Sequence, residues 1–455
     1  MRNNNMWTDK EFRNGLLKLA LPIAAQSFML SAVGVADTLM LGGVEQNAMS
    51  AVSLATKIQF IQNMFISSFV AALVILGAQY MGKKDERSVS KLFCITLNAC
   101  GAAALLFFIA CEFFPQYIML AFTNDPELIR IAADYLRIAA WSYLLTGVSQ
   151  CYIALLKISD RANKAATISS VAVVCNIALN AVFIFGLAGI PAMGVRGAAL
   201  ATLISRVIEM LWAVGLSFRE SYFRPDFRQM KKADPALRHD FLVCLWPLLG
   251  ASLLWGVGFT AYSAFMGHLD KDAPAANSVA SSVIELMCCM CNGLASGGGI
   301  LVGNALGSGD LEKGKLYGIR IVKLSFPVGI ITSLLMFAIT PLVMAVVHLT
   351  PTAEQYLHSM MLVMSVYTVG RVVNTMTING IIDAGGDTAF DMYSLAVVMW
   401  GVALPLAALG TFVFHWPVWV VYACTCVDEV GKIPWVIAHF RKYKWVKDLT
   451  REEGQ

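Results

Sequence analysis

Residues 16–42 read LLKLALPIAAQSFMLSAVGVADTLMLG, a run of mostly apolar side chains with one carboxylate, Asp37, near its far end. About 20 apolar residues cross a bilayer as a helix, so the run is long enough to span one. A carboxylate inside such a helix costs a few kcal/mol on insertion scales. It therefore faces protein or a water-filled cavity and marks an ion or proton path, unless it sits at headgroup depth. The stretch makes two predictions, a membrane-spanning helix and a working acid within it.

Composition extends the first prediction to the whole chain. Of 455 residues, 58% are hydrophobic and only 14% are charged. A water-soluble fold cannot hide that much apolar surface, so the fold class is an all-α polytopic membrane protein in contact with lipid. The polar start MRNNNMWTDKEFRNG has no small-residue cleavage site after it and does not read as a signal peptide. The eleven cysteines fall almost entirely in apolar stretches and read as small core residues; no metal site is expected. No organic cofactor and no nucleic-acid partner is expected, and the chain is read as a monomer.

Twelve apolar segments are expected, at about 16–41, 49–80, 92–114, 131–156, 165–188, 195–217, 241–267, 276–306, 316–347, 353–382, 390–414 and 417–439. An even number puts both termini on one side. With the N-terminus inside, 27 Lys and Arg fall on that side and 4 on the other, while Lys57, Arg206 and Arg371 lie within segments. That bias predicts a multi-pass protein of the cell membrane with both ends cytoplasmic. The expected division is an N-terminal arm 1–15, a first lobe 16–218, a cytoplasmic linker 219–240, a second lobe 241–440 and a tail 441–455.

The lobes repeat one another. Pro22, Gly42, Gly82 and Asp85 recur 225 residues later as Pro247, Gly267, Gly307 and Asp310. Pro191 and Arg206 recur 226 later as Pro417 and Lys432. Two parallel six-helix repeats around a central cavity make a transporter plan, because rocking one against the other can expose the cavity to either side.

The repeat also acts as an internal control, since a residue needed only for the fold should recur in kind. Asp37 maps to Tyr262, and Asn176 and Asn180 map to Gly401 and Pro405. At i, i+4 the two amides share a helix face and can hydrogen-bond a buried carboxyl together, or bond neighbouring helices as glue. In the second lobe Glu285 (in SVIELMCCM) and Arg371 (in YTVGRVVNT) stand mid-segment. Each is expensive unless paired, and pairing with one another is the simplest solution. The alternative is that Glu285 meets substrate or a second proton. Lys57 can snorkel outward or approach Asp37.

The order and spacing of LALP with Pro22, GVADTLMLGG around Asp37, GAQYMGKKD at 77–85, Asn176-x3-Asn180, GNALGSGD at 303–310 and GIIDAGGDTAF at 380–390 resemble the multidrug and toxic compound extrusion (MATE) family over essentially the full length. The closing DEVGKIPW and HFRKYKWVKDLT resemble many bacterial members. The resemblance implies an efflux pump driven by inward H⁺ or Na⁺ flow, with Asp37 as the essential acid fifteen residues after Pro22. Where some members carry a second acid on the fifth helix, this chain has Asn180. Where some carry an acid near Trp255 or Gly256, it has none, and Glu285 is the second-lobe acid instead. Asp383 and Asp387 are read as cytoplasmic turn residues.

The expected mechanism starts with Asp37. Burial disfavours its ionised form, so it can gain and lose a proton as its surroundings alternate between wet and dry. Protonation from outside lets the first lobe repack around a helix bend at Pro22 and Gly34, because proline removes a backbone hydrogen bond. Expected substrates are small amphipathic organic molecules, cationic to suit Asp37 and Glu285. The nearest rival is a flippase for lipid-linked saccharides, which calls for more arginine to meet phosphate. An enzyme is not expected: GSGD opens a polar loop and has no Tyr-Asp partner, and HExxH and GxSxG are absent.

Overall fold

The computed structural model describes residues 9–42, 46–187, 189, 191–219, 234–347 and 349–451, with side chains for all of these except 33–42 and 46–49. Among the described residues every regular element is helical. Among the same residues ten helical runs are long and apolar enough to cross a membrane, and a bent pair, Ala273–Met287 and Cys289–Gly307, makes eleven. The expected twelfth span, 417–439, is not one helix. It is divided into α15 (Val418–Thr425), α16 (Val427–Val430) and α17 (Ile433–Phe440). Its second half carries Asp428, Glu429, Gly431, Lys432 and Pro434, which an uninterrupted apolar helix does not accommodate.

The repeat reappears as matched local structure. Asp85 caps α3 (Glu86–Phe113) by accepting from Ser88 N at 3.0 Å, and Asp310 caps α11 (Leu311–Val346) by accepting from Lys313 N at 2.9 Å. Asp125 caps α5 (Pro126–Ile158) and Thr350 caps α12 (Pro351–Thr377), each followed by proline at the first helical position. These side-chain oxygens satisfy backbone N–H groups that have no intrahelical partner, and proline has no N–H to waste there. The polar landmarks seen in the sequence are therefore helix starts.

By compactness the chain divides into two units: Met1–Ser27 with Ala78–Lys84 and Leu242–Gln455, and Phe28–Gly77 with Asp85–Phe241. The division cuts through α1 (Lys10–Gly42) after Ser27 and takes the end of α2 (Gln46–Gly82) into the unit of the second repeat. In the smaller unit, α3 packs on α5, and α7 (Gly194–Arg219) packs on both α5 and α6 (Ala162–Phe185). Its core is built from Leu136, Ala140, Tyr143, Met119 and Ala199.

The larger unit starts its repeat with α8 (Pro235–Leu269), followed by α9 (Ala273–Met287) and α10 (Cys289–Gly307). Here α11 packs on α12, and α12 packs in turn on α15, α16 and α17. The first 18 residues of α1 join this unit, with Phe12, Leu16 and Ala20 buried in its core beside Tyr317, Ile381 and Trp445. Where α2 is continuous, its repeat is bent by 42° between Met287 and Cys289, directly after Glu285. Two π-helical turns, Ile378–Ile382 and Ala396–Ala403, interrupt the tenth and eleventh spans.

Candidate functional site

In the first repeat the buried polar residues form a track along the packed faces of α6 and α7. Asn176 and Asn180 are 6% and 1% exposed. Asn180 Nδ2 donates to Asn176 Oδ1 at 3.3 Å, and Asn176 Nδ2 reaches Thr202 Oγ1 and Ser205 Oγ on α7, both at 3.4 Å. The two amides share one face, as their spacing requires, and the track they begin runs into hydroxyls of the neighbouring helix. Asp37 and Gly34 lie in α1 but outside the residues whose side chains are described. Pro22 is half-buried, and α1 runs through it without interruption. Lys57 is exposed, in keeping with an outward-turned lysine.

One turn beyond Ser205 stands an acid that sequence reasoning passed over. Glu209 is 1% exposed. It accepts from Arg206 Nη1 at 2.7 Å, from Ser149 Oγ on α5 at 3.2 Å and from Ser169 Oγ on α6 at 3.3 Å. The sequence signal was available: an acid three residues after an arginine in an apolar helix lies on the same face and can neutralise it.

The second repeat concentrates charge. Arg371 forms its ion pair with Glu429 at 3.0 Å rather than with Glu285, the partner expected from sequence. Lys432 Nζ reaches the other oxygen of Glu429 at 3.2 Å, and Asn374 Nδ2 donates to the same carboxylate at 2.7 Å. The landmark bases of the repeat, Arg206 and Lys432, thus both pair with an acid three residues away, Arg206 forwards and Lys432 backwards. Glu285 is exposed on α9, and Arg371 lies within electrostatic reach of it. Geometry explains the exchange of partners: Glu429 is buried beside α12, and the half-buried guanidinium stays with the carboxylate that also accepts an amide.

Three more acids are buried here. Asp428 is 5% exposed and accepts from the hydroxyl of Tyr262, the residue that takes the place of Asp37 in the repeat, at 3.4 Å. Asp383 and Asp391, 3% and 9% exposed, share the amide of Asn379, which donates to each at 3.4 Å. Among the described residues none of the three forms an ion pair with Lys, Arg or His. The side-chain donors that meet them are neutral, a tyrosine hydroxyl for Asp428 and one asparagine amide for Asp383 and Asp391. Asp383 does lie in a turn, as expected, but a buried one, whereas Asp387 pairs with His439 at 2.8 Å. All eleven cysteines are free thiols, and among the described residues no group of three or more His, Cys, Asp or Glu is placed to hold a metal.

Known proteins resemble the chain throughout. The probable multidrug resistance protein NorM of Rhizobium meliloti is 27% identical over 339 residues, which is 71% of this chain and 69% of that protein. The multidrug resistance protein MdtK of Pectobacterium atrosepticum is 24% identical over 399 residues, 86% of each chain. Among solved structures, an outward-facing conformation of a multidrug resistance MATE family transporter superposes with a TM-score of 0.85 at 16% identity, covering 95% of this chain and 97% of that one. A Pyrococcus furiosus transporter of the MOP superfamily, with a binding pocket of reverse polarity, also gives 0.85 at 16% identity, with 95% and 97% covered. The MatE family profile matches twice, over residues 22–182 and 247–409, so the two matches start 225 residues apart, the offset of the repeat. Two matched halves covering most of an all-helical, multi-pass membrane chain identify it as a member of the MatE (MATE) family of efflux transporters, and not an enzyme.

Proposed function

We propose that this transporter exports small amphipathic organic cations, drugs and toxic compounds among them, in exchange for H⁺ or Na⁺, with Asp37 as the coupling carboxylate. The cavity alternates between the two faces of the membrane, and both termini lie in the cytoplasm beside the Lys- and Arg-rich loops. The observation that carries the reading is the buried Asn180–Asn176–Thr202/Ser205 track, which has no counterpart at Gly401 and Pro405. A fold needs no such asymmetry; a carboxylate that charges and discharges in one repeat does.

The named relatives support multidrug cargo, and the unpaired acids of the second repeat favour cations over phosphate-headed lipids. Arg371 and Lys432 are both engaged by Glu429, which leaves the saccharide-lipid flippase reading without its phosphate clamp. One charge crossing 100 mV is worth about 2.3 kcal/mol, enough for a roughly 50-fold substrate gradient, so one ion per cycle suffices.

The test is dye export in everted vesicles, with proton and sodium gradients imposed separately. Asp37→Asn is expected to reach the membrane in normal amount and to lose gradient-driven transport. Transport at the unmodified rate by that variant overturns the assignment.

A further inference from the structure

The chain after α17 does not trail away. Trp445 is fully buried, stacked on Phe440 with ring centroids 5.3 Å apart, and its indole N–H donates to Phe440 O at 3.2 Å. Two glycines make room for it. A Cβ on Gly318 of α11 would strike the Trp445 ring, and one on Gly385 would strike the Trp445 backbone. From this plug the chain continues across the end of α2. Gln79, itself fully buried, accepts from Leu449 N at 2.7 Å, while its amide donates to Ala384 O at 2.8 Å and to Lys447 O at 3.4 Å. Arg451 N donates to the Tyr80 hydroxyl at 3.2 Å, and Lys83 Nζ donates to Arg451 O at 2.9 Å.

The part of α2 gripped in this way is the part that meets α10. A Cβ on Gly82 would collide with the backbone of Asn304, one on Gly307 with the backbone of Gln79, and one on Gly303 would lie 3.1 Å from the Ala78 side chain. The contact is close because both helices present glycine, so little side chain stands between the backbones. Dispersion across such a seam is large while it is closed and is forfeited within about an ångström of separation. The tail bonds α2 at the seam and is anchored by Trp445 against Gly318 of α11 and the turn at Gly385.

We propose that residues 441–451 are a strap that holds the α2–α10 seam shut, and that its release is a step of the transport cycle. Gln79 and Trp445 are its positioning residues: the first is the eye on α2, the second the anchor in the body of the second repeat. The proposal rests on the alternating-access reading above, because only a carrier that opens at this end needs a removable fastening there. The peptide N–H groups of Leu449 and Arg451 supply two of its bonds, so the strap is specified by where the tail lies and by the side chains of Gln79 and Tyr80 that receive it.

The experiment is hydrogen–deuterium exchange on the full-length protein in lipid nanodiscs, read at 78–84 and 303–307, together with dye export in vesicles. Four variants are used: Gln79→Ala, truncation after Lys447, Trp445→Ala and the conservative Trp445→Phe. Truncation leaves the anchor in place and removes the bonds at Leu449 and Arg451 together with the Leu449 side chain beside Gly386, so it stays informative if Trp445→Ala fails to fold. Gln79→Ala and the truncation are expected to raise exchange at both segments about tenfold and to alter the export rate at least threefold, while Trp445→Phe stays near the parent. Unchanged exchange at the seam in both variants overturns the strap, as does faster exchange with export unaltered. Asp37→Asn separates this idea from the coupling assignment. If removing the strap still speeds seam exchange in that background, the strap stands whatever becomes of Asp37.

Discussion

Glu209 is held by an arginine on its own helix and by hydroxyls from two others, so one carboxylate fastens α5, α6 and α7 together. Replacing it by glutamine keeps the shape and removes the charge. Glu209→Gln leaves the Arg206 guanidinium without its counter-ion in a poorly hydrated place, which costs about 3 kcal/mol. The thermal midpoint in detergent should drop, and Glu209→Leu combined with Arg206→Leu should recover part of the loss, because neither member of the ion pair is then left without the other. Just before the start of α1, Asp9 accepts from Arg320 Nη1 at 2.6 Å, and Arg320 is 4% exposed. That hydrogen bond, helped by one from Phe12 N, holds the Asp9 carboxyl below its ordinary value of 3.8. A carboxyl with a lowered folded value contributes stability that is fully present above the unfolded value and lost as pH falls through the folded one. Thermal midpoints taken downward from about pH 5 should therefore fall less steeply for Asp9→Asn than for the parent.

At the scale of elements, the turns that join paired helices give an internal comparison. Lys84 and Gly309 occupy the same place in the two repeats, and both adopt the left-handed conformation, with φ of 63° and 82°. That conformation brings a Cβ against the following carbonyl and costs a side-chain-bearing residue about 1 kcal/mol. Lys84→Gly should raise stability by about 0.5 kcal/mol after the entropy lost by glycine is counted, and Gly309→Lys should lower it by about 1 kcal/mol. Denaturation of the two variants side by side checks the sign.

Elements also show what could be read in advance. Hydropathy located eleven spans because bilayer thickness imposes a length that any apolar run must meet. It did not foresee that the twelfth segment is divided around Asp428, Glu429 and Lys432, and it was blind to partners. Arg371 chooses an acid 58 residues ahead over one 86 residues behind, a choice made by packing of α12 on α16 and by nothing in the local sequence. Asp383 resembled a turn residue and is one, yet its turn is buried, which the residues around it do not announce.

At the scale of the molecule, the duplicated plan was legible because caps, glycines and prolines stand at one offset in both halves. The asymmetry of chemistry was legible only in part. Asn176 and Asn180 stood out against Gly401 and Pro405, whereas the charged core of the second repeat shares only its base, Lys432 for Arg206, with the first. The seam between α2 and α10 carries the duplication furthest: residue 82 meets 304 and residue 307 meets 79, and each pair is the other shifted by 225. A contact in which i touches j and the copy of j touches the copy of i is isologous, the pattern of a surface that fits a second copy of itself about a two-fold axis. In this seam the end of one helix packs on its own repeat, each glycine meeting the backbone that its copy presents.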